Sequence, residues 1–553
     1  MKVKSNELLT GKPEAESTNE QYKHNMKLSQ LILISIAGLQ FVSPAWADDG
    51  ATTNSVSPAQ VAPAGSAEAA EIEALKNEVQ ELEQKVKVLE QQNARKQTAA
   101  ADTNQEQIQA LDQQVRILER QRELDREDAA SAAKTQPRLT VGANGATFSS
   151  ADTNFAVSLH GLVQVDSRTF QENDNVPGNS SILLRRARPI LSGTVFRDFD
   201  FLFVPDFGNG TPGAASAAST PSIYDAYLNY RSSPTVQIQA GKFKTPIGLE
   251  QLQPDAYTMF NERSLVTDLV PNRDLGFELH GDIAGGVVSY AAGIFNGVGD
   301  ARNSSNIGFQ DNREFNGRLF VQPFKQTELT ALQNLGMGIG GGWGEASTTN
   351  TLGLPASTGG ASSSSAGYFT DGQQQFFAYT NGVMADRVHW RISPQGYYYY
   401  GPFSLLGEYV ISDQDVRNGS RSASLHHTAW EIAGGWVLTG ENATFNGVTP
   451  KHPFDPRIGQ WGAWQVVGRY ADLDIDNAAF PFFSNPAVSA SEATAWAVGL
   501  NWYLNRNIVV KASFSRTTFE GGGQGTGSAA SSPPGSVTTH PEEVFFTRVQ
   551  LGF

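Results

Sequence analysis

The sequence predicts an all-β fold, a sixteen-stranded antiparallel transmembrane β-barrel with an N-terminal α-helical coiled-coil segment, and three observations lead there. The last ten residues, Val544 to Phe553, alternate with a period of two. Phe545, Thr547, Val549, Leu551 and Phe553 share one face, while Phe546, Arg548, Gln550 and Gly552 share the other. From Asn154 to the end, runs of about ten residues repeat this alternation between turns rich in Gly, Pro, Asn and Asp. Only 39% of the residues are apolar. That is too little for a bundle of spanning helices, each needing about 20 consecutive apolar residues, yet it suits strands with one face toward lipid and one toward water. A strand such as the last one, left as an edge, would expose unpaired backbone groups; closing a barrel onto the first strand removes them.

The elements follow in chain order. Met26-Lys27, the apolar Leu28 to Val42 and Ala45-Trp46-Ala47 form the basic start, short core and small-residue site of a secretory signal peptide over 1–47. Met1 to Asn25 is polar and stands outside that pattern, so Met26 is an alternative start. Residues 48–67, rich in Ala, Ser, Pro and Gln, read as a linker. A coiled coil is expected over 68–128: Ile72, Leu75, Val79, Leu82, Val86 and Leu89 recur at spacings of three and four, and the seam resumes one residue out of register at Ile108, Leu111, Val115 and Leu118. Each half is too short for a stable lone helix, which implies partner helices. Residues 129–153 read as a second linker and 154–553 as the barrel.

Seventeen alternating runs can be drawn within the barrel segment. An N-terminal periplasmic helix puts both barrel ends on one side, which requires an even number; the weakest run, Phe376 to Thr380, is therefore assigned to a loop. Arg197-Asp198, Arg231 to Pro234, Asp282 to Gly286, Tyr400 to Pro402 and Leu504 to Asn507 are expected short turns. Phe207 to Pro221, Thr245 to Asp274, Glu345 to Gln375 and Glu520 to His540 are the long connections opposite them. Pro323 to Asn334 and Thr439 to Ile458 are longer than periplasmic turns should be, and the second is long enough to enter the lumen.

The alternation also sorts charges. It places Arg186, Arg188, Arg318, Arg391, Arg469, Lys511 and Arg548 on the inward face, opposite apolar neighbours such as Leu191, Leu319, Ile392 and Val466. A basic side chain facing lipid at the midplane would cost about 2–4 kcal/mol. Guanidinium groups in a narrow lumen supply fixed, permanently charged donors for phosphate or carboxylate oxygens. Asp198, Asp200, Asp225, Glu278, Glu408 and Glu431 fall inward as well, so the arginines either attract anions or neutralise these acids. Lys242, Lys244 and Arg263 beside the Thr245 to Asp274 loop, and Lys451, His452 and Arg457 in the long turn, are candidates for a constriction.

Several stretches resemble the phosphate-selective porin O and P family of Gram-negative outer membranes. They are Arg185-Arg186-Ala187-Arg188 leading to Gly193-Thr194-Val195-Phe196 and Asp198-Phe199-Asp200-Phe201, Gly241-Lys242-Phe243-Lys244-Thr245-Pro246, and Asn261-Glu262-Arg263-Ser264-Leu265-Val266 before Pro271-Asn272-Arg273-Asp274-Leu275-Gly276. Phe315-Asn316-Gly317-Arg318-Leu319-Phe320, Gly462-Ala463-Trp464 to Arg469-Tyr470, and Gly499-Leu500-Asn501-Trp502-Tyr503-Leu504-Asn505 complete the ordered set. The resemblance implies a trimeric outer-membrane porin in which inward arginines guide small inorganic anions such as phosphate and folded-in loops form the constriction. The loop matching the family's lysine-bearing one, Glu345 to Gln375, holds no Lys or Arg, which argues for anion preference without phosphate specificity. Outer-membrane lipid, and peptidoglycan or another periplasmic contact through the coiled coil, are the other expected partners.

Other classes are disfavoured. A net charge of −15 argues against a nucleic-acid binder. There is no cysteine, hence no thiolate metal site or cysteine nucleophile. No G-x-S-x-G elbow, H-E-x-x-H or P-loop occurs, so neither an enzyme nor a cofactor is expected. A non-selective general porin, and a barrel anchoring a structural or adhesive coiled coil, remain the alternatives.

Overall fold

The computed structural model describes residues 101–171, 180–208, 221–304, 313–345, 354–355, 366–521 and 541–553, together with 75–77, 79–81 and 84–87. The expected signal peptide, the first linker and much of the first seam lie outside the described residues. Residues 75–77, 79–81 and 84–87 are helical, and a helix runs from Ala101 to Thr135. Ile117, Leu118 and Leu124 are exposed on it. The stretch 129–153, read as linker, carries this helix to Thr135 and then forms a hairpin, Arg138–Gly142 paired with Gly145–Ser149.

Sixteen strands make the wall. In order they are β1 Ala156–Phe170, β2 Ser181–Val195, β3 Phe199–Asp206, β4 Ser222–Ser233, β5 Val236–Lys244, β6 Arg273–Ile283, β7 Val288–Phe295 and β8 Glu314–Val321. The second half comprises β9 Leu335–Glu345, β10 Val383–Tyr400, β11 Phe403–Asn418, β12 Arg421–Val437, β13 Ala463–Asp474, β14 Ala490–Tyr503, β15 Ile508–Gly521 and β16 Glu542–Gly552. Each pairs antiparallel with its sequence neighbour. Strand β16 then pairs with β1, from Val544 opposite Phe170 to Gly552 opposite Leu162, and closes the ring. Closure leaves no edge to template aggregation.

The period of two explains the wall. In β16, Glu542, Val544, Phe546, Arg548 and Gln550 are buried toward the interior, whereas Phe545, Val549 and Leu551 are exposed outward. Outward aromatics cluster at two levels. Trp343 lies opposite Trp390 and Tyr470 opposite Trp496, with Trp430 against Tyr470, and Tyr400, Trp436, Trp464 and Trp502 lie toward the end where β1 begins and β16 ends. Amphipathic rings at two levels match the two interfaces of a bilayer. No described helix is long and apolar enough to cross a membrane, a statement that does not bear on strands.

The five expected short turns are all found. So is the loop assignment of Phe376 to Thr380: Gln375–Ala378 pairs only with Gly367–Phe369 and takes no part in the wall. Strand alternation there reflects a small sheet buried inside the barrel, where Phe376 and Phe377 have no exposed surface. The largest apolar cluster lies in the lumen. Leu265, Val266 and Leu269, the rings of Tyr368, Phe376 and Phe377, and Ile475 and Phe483 pack against inner-wall residues such as Val410, Leu425 and Ala471. Each fully buried side chain of this size contributes about 1.5–3 kcal/mol, so these inward loops are part of the folded core.

Candidate functional site: the lumen and its inward segment

The segment between β5 and β6, residues 245–272, turns into the barrel. Its base is tied where the Thr245 hydroxyl donates to the Pro271 carbonyl, and Pro246 has no N–H to continue the ladder. It holds only a one-turn helix, Leu249–Leu252, and a short 3-10 stretch, Leu265–Leu269, so most of its backbone polar groups need partners from elsewhere. The wall supplies them. Gln395 of β10 donates to Ile247 O at 2.6 Å, and the Glu408 carboxylate of β11 accepts from the N–H groups of Leu249 and Glu250 at 2.9 and 3.0 Å. Gln164 of β1, Gln550 of β16, Lys511 of β15, Asn501 of β14 and Arg469 of β13 donate to the carbonyls of Asp255, Ala256, Thr258, Met259 and Glu262. Tethers from so many strands mean that the segment crosses the lumen and narrows it.

Two acids of this segment are electrostatic hubs. Glu262 accepts from Arg185 Nε and Nη2 at 2.7 and 2.9 Å and from Arg168 Nη2 at 2.8 Å, with Arg548 Nη2 3.6 Å away. Burial opposes its charge, but Arg185 and Arg168 outweigh burial and hold the carboxyl below the usual glutamate range. Asp255 meets Arg186, Arg188 and Arg263, and these guanidinium groups likewise overcome burial to hold it well below the aspartate range.

The residues singled out in the sequence can now be located. Arg186 and Arg188 are buried on the inner face of β2; Arg186 donates to Gln164, and Arg188 pairs with Asp206 at 2.6 Å as well as with Asp255. Arg391 is enclosed by Asp300 at 2.6 Å and Glu314 at 2.9 Å. Arg469 pairs with Asp371 at 2.7 Å, and Arg548 is bidentate on Asp166 at 2.6 Å for both contacts. Lys511 is fully buried on the Thr258 carbonyl. Arg318 differs: it donates to Gln395 Oε1 at 2.8 Å, lies 4.3 Å from the centre of the Phe320 ring, and among the described residues has no carboxylate within ion-pair distance.

Among the constriction candidates, Lys244 donates to Leu252 O and Gln253 O, Arg263 lies within the inward segment on Asp255, and Lys242 is buried against Ser304 O. Lys451 and Arg457 are not brought to the constriction. They are exposed in the long turn between β12 and β13, where Lys451 bonds Gly440 O and Arg457 closes on Asp455 two residues away. That turn does enter the lumen, through its small hairpin: Ala443 and Val448 are buried, and Phe445 O accepts from Gln253 at 2.8 Å.

Arg185 was missed by the alternation, which assigns it to lipid. A register shift between Gln164 and Val165 across β1 and β2 releases it, and it turns inward beside Arg186. Arg168 shares the phase of Gln164 and Asp166 and was legible by the same period. Glu262 stood only within a motif.

Between the inward segment and strands β1 to β6 lies a cavity of about 710 Å3, which reaches Arg506 and Phe553 at the end where β1 begins and β16 ends. On its wall the Tyr224 ring is sandwiched by Arg188 and Arg273, whose guanidinium carbons lie 3.5 and 3.4 Å from the ring centre. Cation–π contact and the Arg273 pair with Asp225 at 2.9 Å fix this wall.

Among solved structures, the chain is similar to the outer-membrane channel DcaP of Acinetobacter baumannii, at 9% identity and a TM-score of 0.45 over 72% of this chain and 98% of that one. It is also similar to OmpF of Salmonella typhi in complex with daunomycin, at 11% identity and 0.44 over 72% and 98%. For the trimer form of OmpT of Vibrio cholerae the values are 12% and 0.42 over 72% and 99%. No curated protein matches the sequence. Residues 157–525 match the family described as phosphate-selective porin O and P, a stretch that starts in β1 and ends just past β15; with that match over most of its length, the chain belongs to the phosphate-selective porin O and P family of outer-membrane channels.

Proposed function

We propose that this porin passes small inorganic anions, phosphate among them, by passive diffusion past the inward segment, with a modest anion preference. The observation that carries the reading is an inward guanidinium bonded to a neutral acceptor. Arg318 donates to the amide oxygen of Gln395, and among the described residues no carboxylate in ion-pair contact cancels its charge. A guanidinium stays charged at any physiological pH, and a field inside a low-dielectric constriction acts on a permeating ion more strongly than screened exterior charge. The preference is modest because Glu278, Glu408 and Glu431 also face inward and, among the described residues, have no cation within ion-pair distance, so they oppose it. A second reading, a non-selective general porin, is favoured by the pairing of Arg186, Arg188, Arg391, Arg469 and Arg548 with acids. The reversal potential of single channels in a KCl gradient decides: chloride over potassium supports the first reading, and no selectivity supports the second. Cation selectivity refutes the anion proposal.

The assembly proposed is a homotrimer with the helical segment in the periplasm, where it contacts peptidoglycan or a periplasmic partner. Support comes from the apolar residues exposed along the helix, Ile117 and Leu118 among them, which a coiled coil would cover. Cross-linking of cysteines introduced at Leu111 and Leu118 tests it, with monomer-only bands as the refuting result.

A further inference from the structure

We infer that the cavity beside the inward segment contains a subsite for an organic ammonium group, with the Glu278 carboxylate as its counter-ion. Glu278 projects inward from β6, opposite Gln239 of β5 and Gly293 of β7, and lines the cavity. It is 9% exposed, and its Oε2 is buried with no hydrogen-bond partner. Among the described residues the Glu278 side chain makes no hydrogen bond or ion pair. The glycine across the ladder offers no side chain.

The contrast with the other charged groups of this cavity carries the argument. Arg188 is taken by Asp206 and Asp255, Arg273 by Asp225, and Lys244 by two carbonyls, which leaves Glu278 as the buried ionisable side chain there without a partner among the described residues. Leaving a buried carboxylate unpaired is costly, and a complementary cation entering the cavity removes the cost. Its surroundings select the kind of cation. A divalent metal needs six or more oxygen ligands, and no group of three or more His, Cys, Asp or Glu suited to a metal is present among the described residues. Aromatic surface is available instead: Tyr227 and Phe243 line the same cavity, edge to face with centres 6.0 Å apart. A carboxylate in a cavity that also presents aromatic rings fits an ammonium on an apolar body. The volume of about 710 Å3 accommodates a molecule of that size. This inference goes beyond the anion reading and does not depend on it.

The test uses the full-length protein and 2-phenylethylamine, with phenylacetate as the probe of similar body and opposite charge. In single-channel recordings in KCl, the amine is expected to block the wild type in a concentration-dependent manner. Glu278→Gln should raise the half-blocking concentration at least tenfold, and Glu278→Asp should retain most of the block. An unblocked wild type, or equal block of Glu278→Gln, overturns the inference. Calorimetric titration of the detergent-solubilised wild type provides a reading independent of conduction and of any variant: tighter binding of amine than of phenylacetate supports the subsite, and equal or absent binding refutes it. A protein that carries no KCl current but binds the amine would sink the porin reading alone.

Discussion

Replacing Glu262 by Gln should loosen the inward segment and make the channel noisier and larger. Three bonds from Arg168 and Arg185 converge on this carboxylate, Arg548 stands at 3.6 Å, and Arg168 and Arg548 are 1% and 0% exposed. Removing one partner of a buried ion pair costs about 3–5 kcal/mol, because the remaining charges stay buried without compensation. An amide keeps one acceptor oxygen, so the lower end applies. The tethers from Gln395, Glu408, Asn501 and Gln550 remain, each with a net worth of about 0.5–1.5 kcal/mol, and the segment is expected to detach transiently without unfolding the wall. About 3 kcal/mol corresponds to roughly a hundredfold rise in the detached population. Single-channel recording should show more frequent openings above the main conductance level, and limited trypsin digestion should cleave after Arg263, a bond shielded in the wild type. Unchanged event frequency together with unchanged trypsin resistance would refute the assignment of Glu262 as the central anchor.

Arg318→Gln is expected to lower the chloride preference with little change in thermal stability, whereas Arg391→Gln, which strands Asp300 and Glu314, should cost about 3–5 kcal/mol in denaturant unfolding; equal behaviour of the two would contradict the distinction between unpaired and paired arginines. Asp268, half-buried in the inward segment and accepting from Phe369 N–H, has its carboxyl pushed well above the aspartate range by desolvation, with Asp300 and Asp371 adding to the effect. Its raised value means that stability is fully present below the ordinary aspartate pKa and is lost as pH rises toward the raised one. Asp268→Asn should therefore flatten the decline in melting temperature between pH 4 and neutrality, and a parallel pH profile would exclude the effect. Deleting residues 48–136 should leave single-channel conductance within about twofold while weakening subunit association; loss of conductance from a folded barrel would make that region part of the channel.

The wall was legible because a membrane strand obeys one strong rule, lipid on one side and water on the other, and β16 or β13 shows it residue by residue. The lumen was not legible to the same degree. Asp255 and Glu262 sit in a stretch with no periodicity, and their partners are supplied by strands far away in sequence. Arg185 defeated the alternation because a single bulge reverses a side chain. The run at Phe376 illustrates the converse: its pattern is that of a strand, only the parity of the ring assigned it to a loop, and its place inside the barrel was not legible. Asp225, Glu278, Glu408 and Glu431 were visible by period, whereas Asp198 lies exposed in the turn between β2 and β3; the pairing of the inward acids was not legible, since it depends on which loops fold in.

The hairpin Arg138–Ser149 has a consequence for how the ring closes. It occupies one edge of β1 from Ala156 to Leu159, and the same edge from Leu162 onward belongs to β16. At the junction, Gly161 and Phe553 exchange N–H to O bonds of 2.8 and 3.0 Å, and a Cβ on Gly161 would come within 2.7 Å of the Phe553 ring. Asn507 joins the two sides by donating to Ala143 O and Gly552 O. Arg548 and Asp166 meet across 382 positions of chain, so closing this seam carries a large loop-closure cost and no local guidance. A slip of two residues would keep every face correct, and side-chain pattern alone cannot forbid it. The hairpin, only a few residues upstream of β1, occupies the edge into which such a slip would run. A local element thereby writes the address at which the most distant strand must stop.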